Sequence, residues 1–118
     1  MIEMLKSKIH RATVTDAALH YEGSITISKE MADSAGIFEY QKVTVVDINN
    51  GNRFETYVII AEEPGIICLN GAAARMVCVG DLVIIMAYEV IDEKLAANHT
   101  PVIVHVDADN RIVSSPQK

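Results

Sequence analysis

The residues most able to do chemistry lie in one short run, His20-Tyr21-Glu22-Gly23-Ser24. A serine hydroxyl can attack the carbonyl of the residue before it when the backbone is held in a strained conformation. A glycine at that preceding position removes the side chain that would obstruct attack, and it tolerates unusual dihedral angles. Gly23-Ser24 therefore fits a self-processing junction. It also fits a turn glycine followed by the first residue of a strand. Other reactive groups are less suggestive. The four histidines, His10, His20, His99 and His105, form no H-E-x-x-H motif or close pair, so no metal site is expected. Cys68 and Cys78 match neither a zinc pair nor Cys-x-x-Cys. Their apolar neighbours predict two reduced, largely buried thiols in a cytosolic protein.

These residues need a scaffold, and the pattern for it is one of short strands. Met4 to Val14 alternates with period two, Lys8, His10, Ala12 and Val14 on one face and Ile9, Arg11 and Thr13 on the other. Thr15-Asp16-Ala17 reads as a turn or a short helical start. Ser24 to Ser28 is a short alternating strand. Ser28 to Ala35 reads as a two-turn helix with Ser28 as N-cap and Gly36 at the left-handed position after its end. Lys42 to Ile48 and Arg53 to Ile60 form a hairpin across Asn49-Asn50-Gly51-Asn52, where Asn-Gly suits a tight primed turn. Ile66 to Leu69 is a buried strand, and Asn70 to Arg75 is a loop entering a short helix. Leu82 to Tyr88 is apolar enough to be covered on both faces. Val102 to Val106 is a last strand, and residues 107–118 are expected to fray as a flexible tail. A single domain spanning 1–118, a small, mostly β barrel with short helices, is the natural architecture.

Composition limits the function classes. The 118 residues are 50% apolar and 22% charged, enough for one core and too apolar for disorder. Ten Lys+Arg against sixteen Asp+Glu give a net charge of -6, which argues against nucleic acid as a partner. Lys6, Lys8 and Arg11 nevertheless cluster near the N-terminus beside His10. No apolar run is long enough for a membrane span, and the charged start MIEMLKSKIHR predicts no secretory signal. A cytoplasmic location is expected.

Five strings occur in order: Lys8-Ile9-His10-Arg11-Ala12, His20-Tyr21-Glu22-Gly23-Ser24, Asn50-Gly51-x-Arg53-Phe54-x-Thr56-Tyr57, Asn70-Gly71-Ala72-Ala73-Ala74 and Val79-Gly80-Asp81-x-Val83-Ile84-Ile85. Together they closely resemble the pyruvoyl-dependent aspartate 1-decarboxylases. The resemblance runs from about Met1 to about Tyr88 and is thin beyond. It implies a six-stranded double-psi β-barrel, a homotetramer, and, in some hosts, a maturation factor. It also implies cleavage between Gly23 and Ser24 into a β chain of 1–23 and an α chain of 24–118. Ser24 would become a covalent pyruvoyl group, an electron sink for converting L-aspartate to β-alanine and CO2 in pantothenate synthesis.

The resemblance also implies roles for individual residues. Lys8 and Arg53 are substrate anchors, an assignment that suits a substrate with two carboxylates. Tyr57 is the proton donor to the substrate Cα, and Thr56 supports processing. Strand alternation puts Arg53, Glu55 and Tyr57 on one face and Thr56 on the other, so either a bulge rotates one of them or they act at different subunits. Asn70, Gly71, Ala72 and Ala73 line the substrate site, with helix capping an alternative or additional task for Asn70. His10 and Tyr21 are supporting residues. Val46 stands where many relatives carry a tryptophan, a change that bears on pocket shape. Two other functions compete: a pyruvoyl decarboxylase for another amino acid, and a non-catalytic barrel that binds a ligand or partner.

Overall fold

A computed structural model describes residues 1–114. Its strands are β1 (Ile2–Thr13), β2 (Asp16–Ala18), β3 (Ser24–Ser28), β4 (Lys42–Asp47), β5 (Arg53–Ala61), β6 (Ile67–Asn70), β7 (Leu82–Ile91), β8 (Val102–Val106) and β9 (Ile112–Ser114). One α-helix, α1 (Lys29–Ala35), and two 3-10 helices, Gly71–Met76 and Glu93–Asn98, complete them. The protein is mainly β, as its alternation suggests. Among the described residues nine strands, short ones included, pair in the hydrogen-bonded order β2-β6-β3-β5-β4-β7-β1-β8-β9. The three-residue strands β2 and β9 form the two ends of that order, where pairing satisfies backbone groups that a loop would leave to water. Three pairs are parallel (β1 with β8, β3 with β5, β2 with β6) and the others in that order are antiparallel. Ile9, Ile25, Ile27, Met31, Val58, Ile67, Leu69, Val83 and Ile85 fill the core.

Local rules fail in three places along this stretch, each for a tertiary reason. In β1, Ile9 and Ala12 are both buried although they fall on opposite faces of an ideal strand. Two residues, His10 and Arg11, separate them against the single Ile84 between their partners Ile85 and Val83, and this bulge in β1, with Arg11 at φ 63°, turns the strand over. Asp16–Ala18 is a strand instead of a turn because it pairs in parallel with β6. Thr15 anchors it, its Oγ1 donating to the Ile67 carbonyl at 2.9 Å and accepting from the Ile67 amide at 3.0 Å. Ser28 precedes α1, and Gly36 ends it at φ 69°, but the Ser28 hydroxyl does not cap the helix. It donates to the Glu63 carbonyl and accepts from the Ile66 amide, both at 2.6 Å, tying α1 to the turn before β6.

The hairpin is present, with Val46 opposite Arg53. Its turn is not the two-residue primed form, for only Gly51 has a positive φ, 79°. Asp47 Oδ1 instead accepts from the amides of Asn49 and Asn50 and stabilises a longer loop. β7 buries Val83, Ile85 and Ala87 on one face, while its other face is only half-buried. The segment from Asp107 does not fray as far as it is described. Buried Asn110 holds the end of β1, accepting from the Thr13 amide at 2.7 Å and donating to the Thr13 carbonyl at 2.8 Å. β9 then pairs with β8. The remainder of the expected tail, 115–118, lies outside the described residues.

Candidate active site

The Gly23–Ser24 junction sits at the start of β3, where Ser24 pairs with Asn70 of β6. Alternation sends Ile25 and Ile27 into the core and Ser24 and Thr26 to the opposite face; on β6, Leu69 is core while Cys68 and Asn70 share that opposite face. Ser24 is 3% exposed, as is Asn70. The Asn70 side-chain amide donates to Ser24 Oγ at 2.8 Å, and Ser24 Oγ donates to the Glu22 carbonyl at 3.3 Å. Asn70 therefore spends its side chain on the junction, not on capping the 3-10 helix it precedes.

Two cavities flank the junction. One, of about 380 Å³, is lined by Tyr21, Glu22, Ser24, Thr26, Tyr57, Ile59 and Asn70. The other, of about 440 Å³, includes Gly23, Thr56, Tyr57, Ala72 and Ala73. Thr56 and Tyr57 both reach the second cavity although the β4–β5 pairing runs in unbroken register from Val46↔Arg53 to Lys42↔Tyr57. Both side chains thus line one cavity without a bulge in that pairing.

The spatial demand at the junction falls on Gly71. A Cβ there would lie 2.7 Å from both Cα and N of Gly23, and Gly71 has φ 64°. A Cβ on Gly23 itself would meet no atom within 4 Å outside its two chain neighbours.

Other expected site residues lie apart. Arg53 lines a separate cavity of about 860 Å³ with Glu3, Lys42, Thr44 and Tyr88. Phe54 and Glu55 belong to both that cavity and the one beside Gly23. Lys8, half-buried on β1 between Met86 and Ile103, lines neither junction cavity. His10 faces His105 across β1 and β8, ring centroids 5.6 Å apart. Burial, followed by Lys8, His105 and Arg11, lowers its pKa and favours the neutral ring. Tyr21 is 72% exposed on the rim of the Ser24 cavity.

The cysteines differ from each other. Cys78 is exposed rather than buried, because it opens the turn into β7. Half-buried Cys68 adjoins the site, with Sγ 3.2 Å from Asn70 Oδ1. Burial first, and then the charge of Asp16, raise its pKa and keep it a thiol. Thr26 also touches Asn70, accepting from its amide at 3.0 Å. Both residues escape a motif-based reading. The signal that could have found them is two-residue spacing on paired strands, with Thr26 two beyond Ser24 and Cys68 two before Asn70.

The model of the family described as aspartate decarboxylase matches residues 1–113. The chain belongs to the aspartate decarboxylase family. The match extends well beyond Tyr88, where the sequence motifs thin out, and takes in β8. Among curated relatives, an aspartate 1-decarboxylase of Campylobacter fetus is 60% identical over 111 residues, covering 94% of this chain and 96% of the relative. Another, from Caldicellulosiruptor bescii, is 61% identical over 118 residues, covering 99% of this chain and 92% of the relative. A computationally designed protein, msDPBB_sym2, overlays with a TM-score of 0.48 at 21% identity, covering 73% of this chain and 99% of the design. Among the described residues no helix is long and apolar enough to cross a membrane.

Proposed function

We infer that this chain is a self-processing, pyruvoyl-dependent lyase that converts L-aspartate to β-alanine and CO2 for pantothenate, and hence coenzyme A, synthesis. Family membership and the names of its relatives support the reaction. The observation that carries the assignment to residues is the buried Ser24 hydroxyl, held by Asn70 immediately after Gly23.

In the cleavage, Ser24 Oγ adds to the Gly23 carbonyl carbon and the C–N bond breaks. The hydroxyl proton ends on the freed amine, and Gly23 is left as an ester on Ser24. Loss of the Ser24 Cα proton with scission of Cβ–Oγ then releases Gly23 as a carboxylate and leaves dehydroalanine. Water displaces its nitrogen as ammonia, leaving a pyruvoyl group at residue 24. A buried serine that opens a strand and lines a cavity fits this origin. Bound there, the group supplies the electron sink for decarboxylation.

The side chains have distinct tasks. Thr56, in the cavity that contains Gly23, polarises the Gly23 carbonyl during cleavage. Tyr57 borders both junction cavities and delivers a proton to the substrate Cα once CO2 has left. Arg53 and Lys8 grip the carboxylate that stays, since strong pairing with the departing one would stabilise the ground state. Asn70 and the Gly71–Ala73 backbone line the substrate's approach, with Tyr21 on the rim. His10 supports β1 through packing. Lys8 lies outside both junction cavities, which supports a homotetramer whose sites are shared between copies.

Intact mass spectrometry after warm incubation, with the host's maturation factor supplied, tests the reading. Pieces 1–23 and 24–118 are expected, the larger with a carbonyl-reactive N-terminus and with CO2 release from L-aspartate far above that from L-glutamate. A chain that stays whole under these conditions refutes self-processing. Equal rates on the two amino acids refute tight anchoring of the carboxylate that stays.

A further inference from the structure

Four polar side chains form a two-by-two patch on one face of the β3–β6 ladder. Ser24 stands opposite Asn70, and Thr26 stands opposite Cys68. Asn70 links all four. Its two N–H groups go to Ser24 Oγ at 2.8 Å and Thr26 Oγ1 at 3.0 Å, and its Oδ1 is 3.2 Å from Cys68 Sγ. The thiol proton has one other acceptor near it, the Leu69 carbonyl, at the longer distance of 3.9 Å.

An asparagine amide can turn over by 180° with little change in shape, so its neighbours must decide which end faces the serine. In the observed orientation every N–H meets a hydroxyl oxygen and the carbonyl meets a thiol donor. Turned over, the amide would aim N–H groups at sulfur, a poor acceptor, and present a carbonyl to Ser24. The difference matters for attack. An N–H on Ser24 Oγ stabilises negative charge as the hydroxyl proton leaves, and directs that proton toward Glu22; a carbonyl would hold the proton instead.

We propose that Thr26 and Cys68 are positioning residues for self-cleavage, holding the Asn70 amide with its N–H edge on the Ser24 nucleophile. The proposal rests on the self-processing reading and extends it to two residues outside the sequence motifs. Neither residue touches the Gly23 carbonyl or needs to titrate. Each acts through Asn70. Thr26 accepts the second N–H of the amide, and Cys68 supplies a proton that Oδ1 can accept and an N–H cannot, so only this orientation serves both.

The first-order rate of cleavage, followed by intact mass from the freshly purified precursor, tests this. Thr26→Val, which keeps the shape but removes the oxygen, is expected to slow cleavage about tenfold, the scale of one buried hydrogen bond lost from the transition state. Cys68→Ala slows it in the same direction, whereas Thr26→Ser and Cys68→Ser restore rates to within about twofold of wild type because the hydrogen-bonding atom returns. Melting temperatures measured in parallel separate positioning from folding. Should Thr26→Val fail to fold, Cys68→Ala, which only removes an atom and its proton, decides the matter. Wild-type cleavage rates in both Thr26→Val and Cys68→Ala overturn the proposal. So does equal slowing by the serine replacements, which would mark a packing effect. A wild-type chain that never splits at Gly23–Ser24 overturns the self-processing reading itself, and the same spectra show it.

Discussion

Removing a single oxygen from Ser24 leaves β3 and its pairing intact, because the backbone at that position bonds across to Asn70. Ser24→Ala should therefore fold, remain one uncleaved chain by mass and release no CO2 from aspartate. Arg53→Ala should behave differently. Arg53 lines a cavity next to the junction cavities and has no part in the Ser24–Asn70–Glu22 hydrogen bonds. This variant should cleave at close to the wild-type rate yet lose on the order of 100-fold or more in kcat/KM, as expected when a charge-assisted carboxylate contact is removed. Loss of cleavage in Arg53→Ala would move that residue from substrate binding to processing. Together the two variants separate the chemistry that builds the site from the chemistry the site performs.

The elements around the junction set tight limits on what may change. Gly71→Ala would force a Cβ to within 2.7 Å of the Gly23 backbone at a residue with φ 64°. The 70–73 loop must then retreat from Gly23, at a cost of about 1–3 kcal/mol from the strained φ alone. Thermal unfolding should show lower stability, and cleavage should slow because Asn70 moves with the loop. A second constraint links the β4–β5 turn to the turn before β7. Asp47 is fully buried, and its Oδ2 makes no direct hydrogen bond among the described residues. Burial, and next the neighbouring Asp81 carboxyl, push the Asp47 pKa up; Asp81 is pushed down by its interaction with Asp47 and by the Cys78 amide. A raised carboxyl pKa gives stability that is present in acid and lost as pH rises through the raised value. Asp47→Asn keeps a donor toward Asp81 without titrating. It should raise the melting temperature by about 3 °C on the alkaline side, with the gap closing as pH falls. The sequence made some of this legible and not the rest. Alternation marked β3, β4 and β5, and Gly36 marked the end of α1. It could not show the bulge at Arg11, the strand at Asp16–Ala18 or the bonds of Ser28, since each depends on partners dozens of residues away. The junction itself was readable from motifs, whereas Thr26 and Cys68 become visible only once β3 is laid beside β6.

At the scale of the whole molecule, the question is how an acidic protein holds a substrate that carries two carboxylates. The net charge of -6 offers no general attraction, so the work falls to the cations at the site. One chain alone does not gather them. Arg53 lines a cavity that shares Phe54 and Glu55 with the one beside Gly23, and Lys8 lines neither junction cavity. If Lys8 completes the site of a neighbouring copy, two defective chains should rescue each other. Lys8→Ala chains can form the pyruvoyl group but lack the anchor; Ser24→Ala chains keep the anchor but lack the group. Each alone should be inactive on aspartate. Co-expressed with different affinity tags and purified through both, they should form mixed assemblies in which some sites pair Ser24 from one chain with Lys8 from the other. Those sites should recover a substantial fraction of wild-type activity per assembly. A mixture that co-purifies but remains inactive would place Lys8 and Ser24 in the same chain's site. The charge that binds aspartate would then have to come from a rearrangement within one subunit instead of from assembly.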